Sequence, residues 1–134
     1  MKITLEHIAI WTPDLENLKD YYVKFFNAGV NEKYFNPVTN LETYFLTFAG
    51  GSSIEIMQMP GISINTQSDT QCFGLTHIAF GVETMEMVRD KAEELRKAGF
   101  AILRGPRKTG DGFYEFETID PDSNRIEVTT KYTE

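Results

Sequence analysis

The chain has 134 residues, 41% of them hydrophobic and 25% charged, a composition typical of a globular protein with room for one domain and its core. Its net charge of -7 and pI near 4.8 leave no basic face for nucleic acid or an anionic membrane, so neither is expected as a partner. The one cysteine, Cys72, excludes an internal disulfide and a multi-cysteine zinc site, and reads as a small apolar side chain near a strand start. Residues 1–11 hold no apolar stretch of signal-peptide length and nothing approaches a membrane span, so a cytoplasmic location is expected.

In chain order, Leu5-Glu6-His7-Ile8-Ala9-Ile10 reads as a strand. Segment 14–28 then places Leu15, Leu18, Tyr22 and Phe25 at the spacing of one helical face, with Asp14 as its start and Ala28-Gly29 as its end. Strand-like runs follow at about 32–36, 42–49 and 53–59, the last two separated by Gly50-Gly51. Residues 60–73 are polar and aperiodic and join this segment to the next. The pattern then repeats. Leu75-Thr76-His77-Ile78-Ala79-Phe80 resembles the first strand, and His7 and His77 stand 70 residues apart. Met85, Val88, Ala92 and Leu95 repeat the helical spacing after Thr84, and Ala98-Gly99 repeats the end. Strands are expected at about 100–104, 112–119 and 125–131, with Asp120-Pro121-Asp122-Ser123-Asn124 as the last turn. Ile54-Glu55-Ile56 and Ile126-Glu127-Val128 close the two halves and stand 72 apart, the two extra residues fitting a longer turn. The expectation is a single α+β domain over 1–134, built from βαβββ repeats 1–59 and 74–134 with linker 60–73.

Side chains alternate across a strand. If the bulkier Ile8, Ile10, Ile78 and Phe80 lie under the helices, both histidines point to the open face. Ile54, Ile56, Ile126 and Val128 likewise turn Glu55 and Glu127 to that face. These are the chain's only two histidines. A mid-strand carboxylate without a partner costs several kcal/mol as an order of magnitude, and two on one concave surface repel. A divalent cation held by His7, Glu55, His77 and Glu127 removes both problems and leaves coordination positions open for a substrate. A salt-bridged polar patch without metal is the competing reading.

These segments, with Asp120 to Val128, resemble the vicinal oxygen chelate superfamily, which includes glyoxalase I, bleomycin-resistance proteins, extradiol dioxygenases, fosfomycin-resistance enzymes and methylmalonyl-CoA epimerase. Glyoxalase I looks closest, because its ligands are His, Glu, His and Glu at the positions of His7, Glu55, His77 and Glu127. The resemblance implies two repeats forming a curved mixed sheet around an open metal-binding cavity. It implies one divalent ion per site (nickel, zinc, cobalt, manganese or iron) and a small-molecule substrate. It further implies lyase or isomerase chemistry by proton abstraction next to a carbonyl, with Glu127 as general base, exchanging roles with Glu55. An epimerase, a thiol transferase or a non-catalytic bleomycin-type binding protein are the alternatives. Trp11 stands where glutathione-binding members usually carry arginine, and Met59 where they often carry asparagine, which counts against glutathione. Trp11, Phe48, Met57, Phe113 and Tyr114 are candidate pocket residues, and Arg107 and Lys108 candidate contacts for an anionic group. The glycines of 105–115 suggest a mobile mouth. A homodimer is expected, with Tyr21, Phe26, Tyr34 and Phe35 as candidate interface aromatics.

Overall fold

A computed structural model describes residues 1–63 and 73–132. Cys72 and most of the expected linker lie outside the described residues. The chain forms two compact units, Met1–Asn65 and Thr66–Glu134.

In the first unit, strand β1 (His7–Trp11) leads into helix α1 (Leu15–Phe26), followed by β2 (Gly29–Val30), β3 (Tyr34–Asn36), β4 (Leu41–Thr47) and β5 (Ser53–Gln58). β1 runs parallel to β5, β5 is antiparallel to β4, and β2 and β3 both pair with β4. In the second unit, β6 (Ile78–Gly81) leads into α2 (Met85–Lys97), then β7 (Ile102–Lys108), β8 (Phe113–Ile119) and β9 (Arg125–Lys131), in sheet order β6-β9-β8-β7. β6 is parallel to β9 and the other pairings are antiparallel. Each unit is therefore the expected βαβββ repeat, with an extra two-residue strand in the first. No helix among the described residues is long and apolar enough to cross a membrane.

Both helices lie over one face of their own sheet because their apolar residues share one stripe. Leu15, Leu18, Tyr21, Tyr22 and Phe25 are buried on α1, and Val88, Ala92 and Leu95 on α2. They meet Leu46, Ile54 and Ile56 in the first unit and Phe116, Ile126 and Val128 in the second, all buried. Tyr21 is thus a core residue and not a surface aromatic, whereas Tyr34 and Phe35 are exposed. The side chain of the last residue of β5 ties that strand to the helix start. Gln58 Oε1 accepts from Leu15 N at 2.8 Å, while its Nε2 donates to the Pro13 carbonyl at 2.9 Å. Thr130, at the matching place in β9, donates to the Glu83 carbonyl at 3.2 Å. Asp14 and Thr84 cap the helices as expected, accepting from Asn17 N and Met87 N.

Three boundaries differ from expectation. α1 ends at Phe26, and Asn27, not Gly29, takes the left-handed cap conformation (φ 54). Gly29 instead opens β2 opposite Thr47, where a Cβ would come within 2.6 Å of Thr47 Oγ1. α2 does end as expected, with Gly99 at φ 93. The third difference is β7. It extends through Lys108, so Gly105 to Lys108 are strand and not a loop at a mouth. Gly105 (φ 80) lies where the register shifts, and a Cβ there would meet the Glu115 carbonyl at 2.5 Å. The long turn before β9 is organised by buried Asp120, whose Oδ1 accepts from Asp122 N and Asn124 N, both at 2.9 Å.

One polar cluster pins α1 to β4. The Tyr44 hydroxyl donates to Glu16 at 2.6 Å, and Lys19 and Lys33 each stand 3.1 Å from the same carboxylate. The Tyr44 hydrogen bond, then the two ammonium groups, hold the Glu16 carboxyl at about 2. A carboxyl depressed on folding adds stability at neutral pH that is lost as pH falls from the ordinary carboxylate range through about 2. Glu16 is half exposed, so screening reduces the effect. Tyr44→Phe is expected to lower unfolding free energy by about 1 kcal/mol at pH 7, with the deficit shrinking toward pH 2. Urea denaturation at both pH values measures this; an unchanged midpoint at pH 7 contradicts it.

Candidate functional site

The parallel register places the same two residue types together in each unit. His7 pairs with Ser53 and Ala9 with Glu55 in β1 and β5; Ala79 pairs with Glu127 in β6 and β9. His7, the first residue of β1, therefore lies diagonally across from Glu55, while His77 stands one residue before β6, outside the strand expected for it, at the equivalent repeat position relative to Glu127. His7 Nε2 is 3.7 Å from Glu55 Oε1, and His77 Nε2 is 3.3 Å from Glu127 Oε1. The apolar neighbours Ile54, Ile56, Ile126 and Val128 are buried under the helices, so both glutamates turn to the opposite face, as alternation predicts. The side chains of Glu55 and Glu127 are 19% and 13% exposed, those of His7 and His77 36% and 35%. The near-equality shows that the duplication preserves exposure as well as position. Adjacent ligands on one ion at bond lengths of about 2.1 Å stand roughly 3 Å apart; the His77–Glu127 pair is near that spacing and the His7–Glu55 pair is wider. Among the described residues, no three histidine, cysteine, aspartate or glutamate side chains are grouped so as to hold an ion. What each unit gathers by itself is one half-set of two donors.

The surroundings of the two pairs differ. In the first unit, the residue opposite Glu55 is Phe45, whose ring meets the His7 imidazole edge-on at 5.2 Å. In the second, Glu117 lies opposite Glu127, and Glu115 is on the same face of β8. Glu117 pairs with Arg125 at 3.4 Å, and Glu115 accepts from Thr129 Oγ1 at 3.5 Å. Burial first, then the charge and hydrogen bonding of Glu115, then the charge of Glu117, push the Glu127 carboxyl up to about 7, with Arg107 opposing. The apolar neighbours supply the burial, and the acidic residues of β8 add to it. Neither Glu115 nor Glu117 was singled out from sequence. The signal was there, because Tyr114, Phe116 and Thr118 alternate with them and are buried.

The candidate pocket residues are divided between the faces. Trp11 and Met57 pair in register and share the face of His7 and Glu55. Phe113 shares the face of Glu115, with Lys131 Nζ 5.9 Å from its ring centroid. Phe48 lies beyond the end of β4 and is half-buried. Tyr114 is on the helix side, buried beside Arg89 of α2 at 5.7 Å, and so is not on the face of Glu127. Arg107 stands opposite Glu115, on the glutamate face, while Lys108 stands opposite Tyr114.

Residues 4–128 match the family model of the glyoxalase/bleomycin resistance protein/dioxygenase superfamily. The chain belongs to that superfamily. Solved structures share the fold. A trypanothione-dependent glyoxalase I of Leishmania major is 21% identical with a TM-score of 0.77, over 96% of this chain and 87% of that one. The fosfomycin resistance protein FosX of Listeria monocytogenes, solved with Mn(II) and sulfate, is 21% identical with a TM-score of 0.73, over 98% and 95%. An integron cassette protein of V. cholerae is 26% identical with a TM-score of 0.67, over 99% and 98%. No curated protein sequence matches the chain. The superfamily includes enzymes as different as glyoxalase I and FosX, so membership gives the fold and leaves the reaction to the site residues.

The raised Glu127 carboxyl has a consequence for metal-free protein. A carboxyl whose folded pKa lies above its ordinary value of 4.5 contributes stability below that value, lost as pH rises through about 7. In chelator-treated protein, Glu127→Gln is therefore expected to unfold at higher urea than the parent at pH 8, by on the order of 1 kcal/mol after screening. The two should unfold alike near pH 4. A Glu127→Gln protein no more stable than the parent at pH 8 would contradict the acidic environment.

Proposed function

We propose that this superfamily member is a metal-dependent lyase or isomerase of the glyoxalase I kind, moving a proton on carbon next to a carbonyl of a small oxygenated substrate. One observation carries the reading: both halves set an imidazole Nε2 against a carboxylate oxygen at the same register position, 3.7 and 3.3 Å apart. Together His7, Glu55, His77 and Glu127 form a two-nitrogen, two-oxygen donor set. Such a set suits a first-row divalent ion (nickel, zinc, cobalt, manganese or iron) and leaves positions open on it. On this reading the two pairs must share one ion, contributed by one chain or by two subunits of a homodimer.

The ion, when bound, supplies Lewis-acid polarisation of the substrate oxygens. The chain's own residues do the rest. His7 and His77 serve as neutral nitrogen donors through Nε2. Glu127 takes the proton from the substrate carbon and returns it to the neighbouring atom; its half-buried place beside Glu115 and Glu117 suits a group that both takes and gives a proton near neutral pH. Glu55, opposite a phenylalanine, has no such company on its strand pair and is assigned mainly to holding the ion. Trp11, Met57 and Phe113 present apolar surface on the same strand faces and exclude water from the reacting atoms. Trp11 in place of an arginine argues for a substrate other than a glutathione adduct.

Protein purified without chelator is expected to hold about one divalent ion per chain by elemental analysis. Incubated in deuterium oxide with a 2-oxoaldehyde, its thiol adducts or a 2-hydroxy carbonyl compound, it should incorporate deuterium at the carbon next to the carbonyl. Glu127→Gln is expected to keep most of the metal and lose at least about 100-fold in turnover. A metal-free protein that binds a small aromatic ligand without chemistry would instead favour the binding-protein alternative, and an active Glu127→Gln would refute the base assignment.

A further inference from the structure

Each candidate ligand histidine is preceded by a side chain that occupies its second ring nitrogen, and the two halves use different chemistry there. Glu6 Oε1 stands 2.6 Å from His7 Nδ1, while Thr76 Oγ1 stands 2.8 Å from His77 Nδ1. The two positions are equivalent in the repeat. The Glu6 side chain is exposed, but its backbone is fixed, because its carbonyl accepts from Ser53 N at 3.1 Å. Glu6 is therefore anchored to β5, the strand that carries Glu55.

A carboxylate only accepts a hydrogen bond, so a neutral His7 must carry its proton on Nδ1. That leaves the Nε2 lone pair turned toward Glu55 and ready for a cation. A threonine hydroxyl can also donate. With Thr76 donating to Nδ1, His77 carries its proton on Nε2, facing the Glu127 carboxylate at 3.3 Å. A carboxylate thus allows a neutral imidazole only one tautomer, whereas the Thr76 hydroxyl allows either, and the Glu127 carboxylate beside Nε2 favours the proton there. A carboxylate on the far nitrogen also strengthens an imidazole as a donor, an effect a hydroxyl provides only weakly.

We propose that Glu6 is a positioning residue that presets His7 as the anchoring ligand, and that Thr76 leaves His77 as the weaker, exchangeable one. The ion is then held chiefly by the His7 half, and the His77 half, with Glu127, is the side free to rearrange when a proton moves. The proposal rests on the metal reading above. It names a role for two residues that neither ligate nor touch substrate.

The chain has only two histidines, so imidazole nitrogen-15 spectra of metal-free protein at pH 8.5 resolve both. The expected result is a proton on Nδ1 of His7 and on Nε2 of His77, with Glu6→Ala moving the His7 proton to Nε2 and leaving His77 unchanged. Zinc(II) affinity, by competition against a fluorescent chelator, should fall about tenfold in Glu6→Ala and no more than about twofold in Thr76→Ala. Equal losses in the two variants, or zinc bound as tightly by Glu6→Ala as by the parent, overturn the proposal alone. A parent protein that binds no zinc overturns the metal reading, and the proposal with it.

Discussion

In each half, the parallel pairing of the first strand with the last puts an imidazole and a carboxylate on the face that the helix leaves bare. Everything at the candidate site follows from that pairing. Ile54 and Ile56, or Ile126 and Val128, must be buried under a helix, and a strand's two-residue period then leaves the intervening glutamate no choice of side. A slip of one residue would bury the carboxylate beneath α1 or α2, against side chains such as Leu18 or Leu95 that offer it no partner. The register is therefore protected by the desolvation energy of the functional group itself.

The helix starts make the arrangement stiffer than strand pairing alone. Gln58 clamps both the amide of Leu15 and the carbonyl of Pro13, and Thr130 reaches the Glu83 carbonyl from the matching strand. Each contact fixes the end of the glutamate-bearing strand to the segment that follows the histidine-bearing one. The imidazole and carboxylate of a half therefore belong to one rigid frame. A site that must keep donor atoms within tenths of an ångström is better held by such a frame than by loops.

Most of this organisation is legible in the sequence because it is repeated. One Ile-Glu-Ile triplet says little; matched by Ile-Glu-Val 72 residues on, each after a Leu-x-His-Ile-Ala segment, it fixes the strand faces. The two helices are equally clear from their apolar stripes. Position-specific backbone chemistry is what sequence spacing misses. Asn27 is among the few residues besides glycine that tolerate the left-handed cap, and the first helix stops there. Gly105-Pro106 reads as a loop but sits at a bulge inside β7, where the backbone of β8 approaches too closely for a side chain. Tyr114 fell on the wrong face because an aromatic beside a glycine-rich segment suggests a pocket. Strand parity, counted from Phe116, would have put it under α2 and placed Glu115 and Glu117 on the open side.

The two halves are duplicates in geometry but not in electrostatics, and the roles proposed for Glu55 and Glu127 follow that difference. Phe45 and Glu117 occupy the same place relative to Glu55 and Glu127, across the strand pair. Beside an aromatic ring, Glu55 meets no like charge from its cross-strand neighbour, which suits the proposed role of holding a cation. Beside two further carboxylates, the cost of a full negative charge is high, so taking up a proton and holding a cation are closely balanced alternatives. A group in that balance can leave a metal for a proton and return at small free-energy cost, which a base needs and a structural ligand must avoid. The asymmetry at Glu6 and Thr76 runs in the same direction, with the firmer donor in the half that holds Glu55 and the looser one in the half that holds Glu127. On the proposed reading, one half of the duplication serves retention of the ion and the other its exchange.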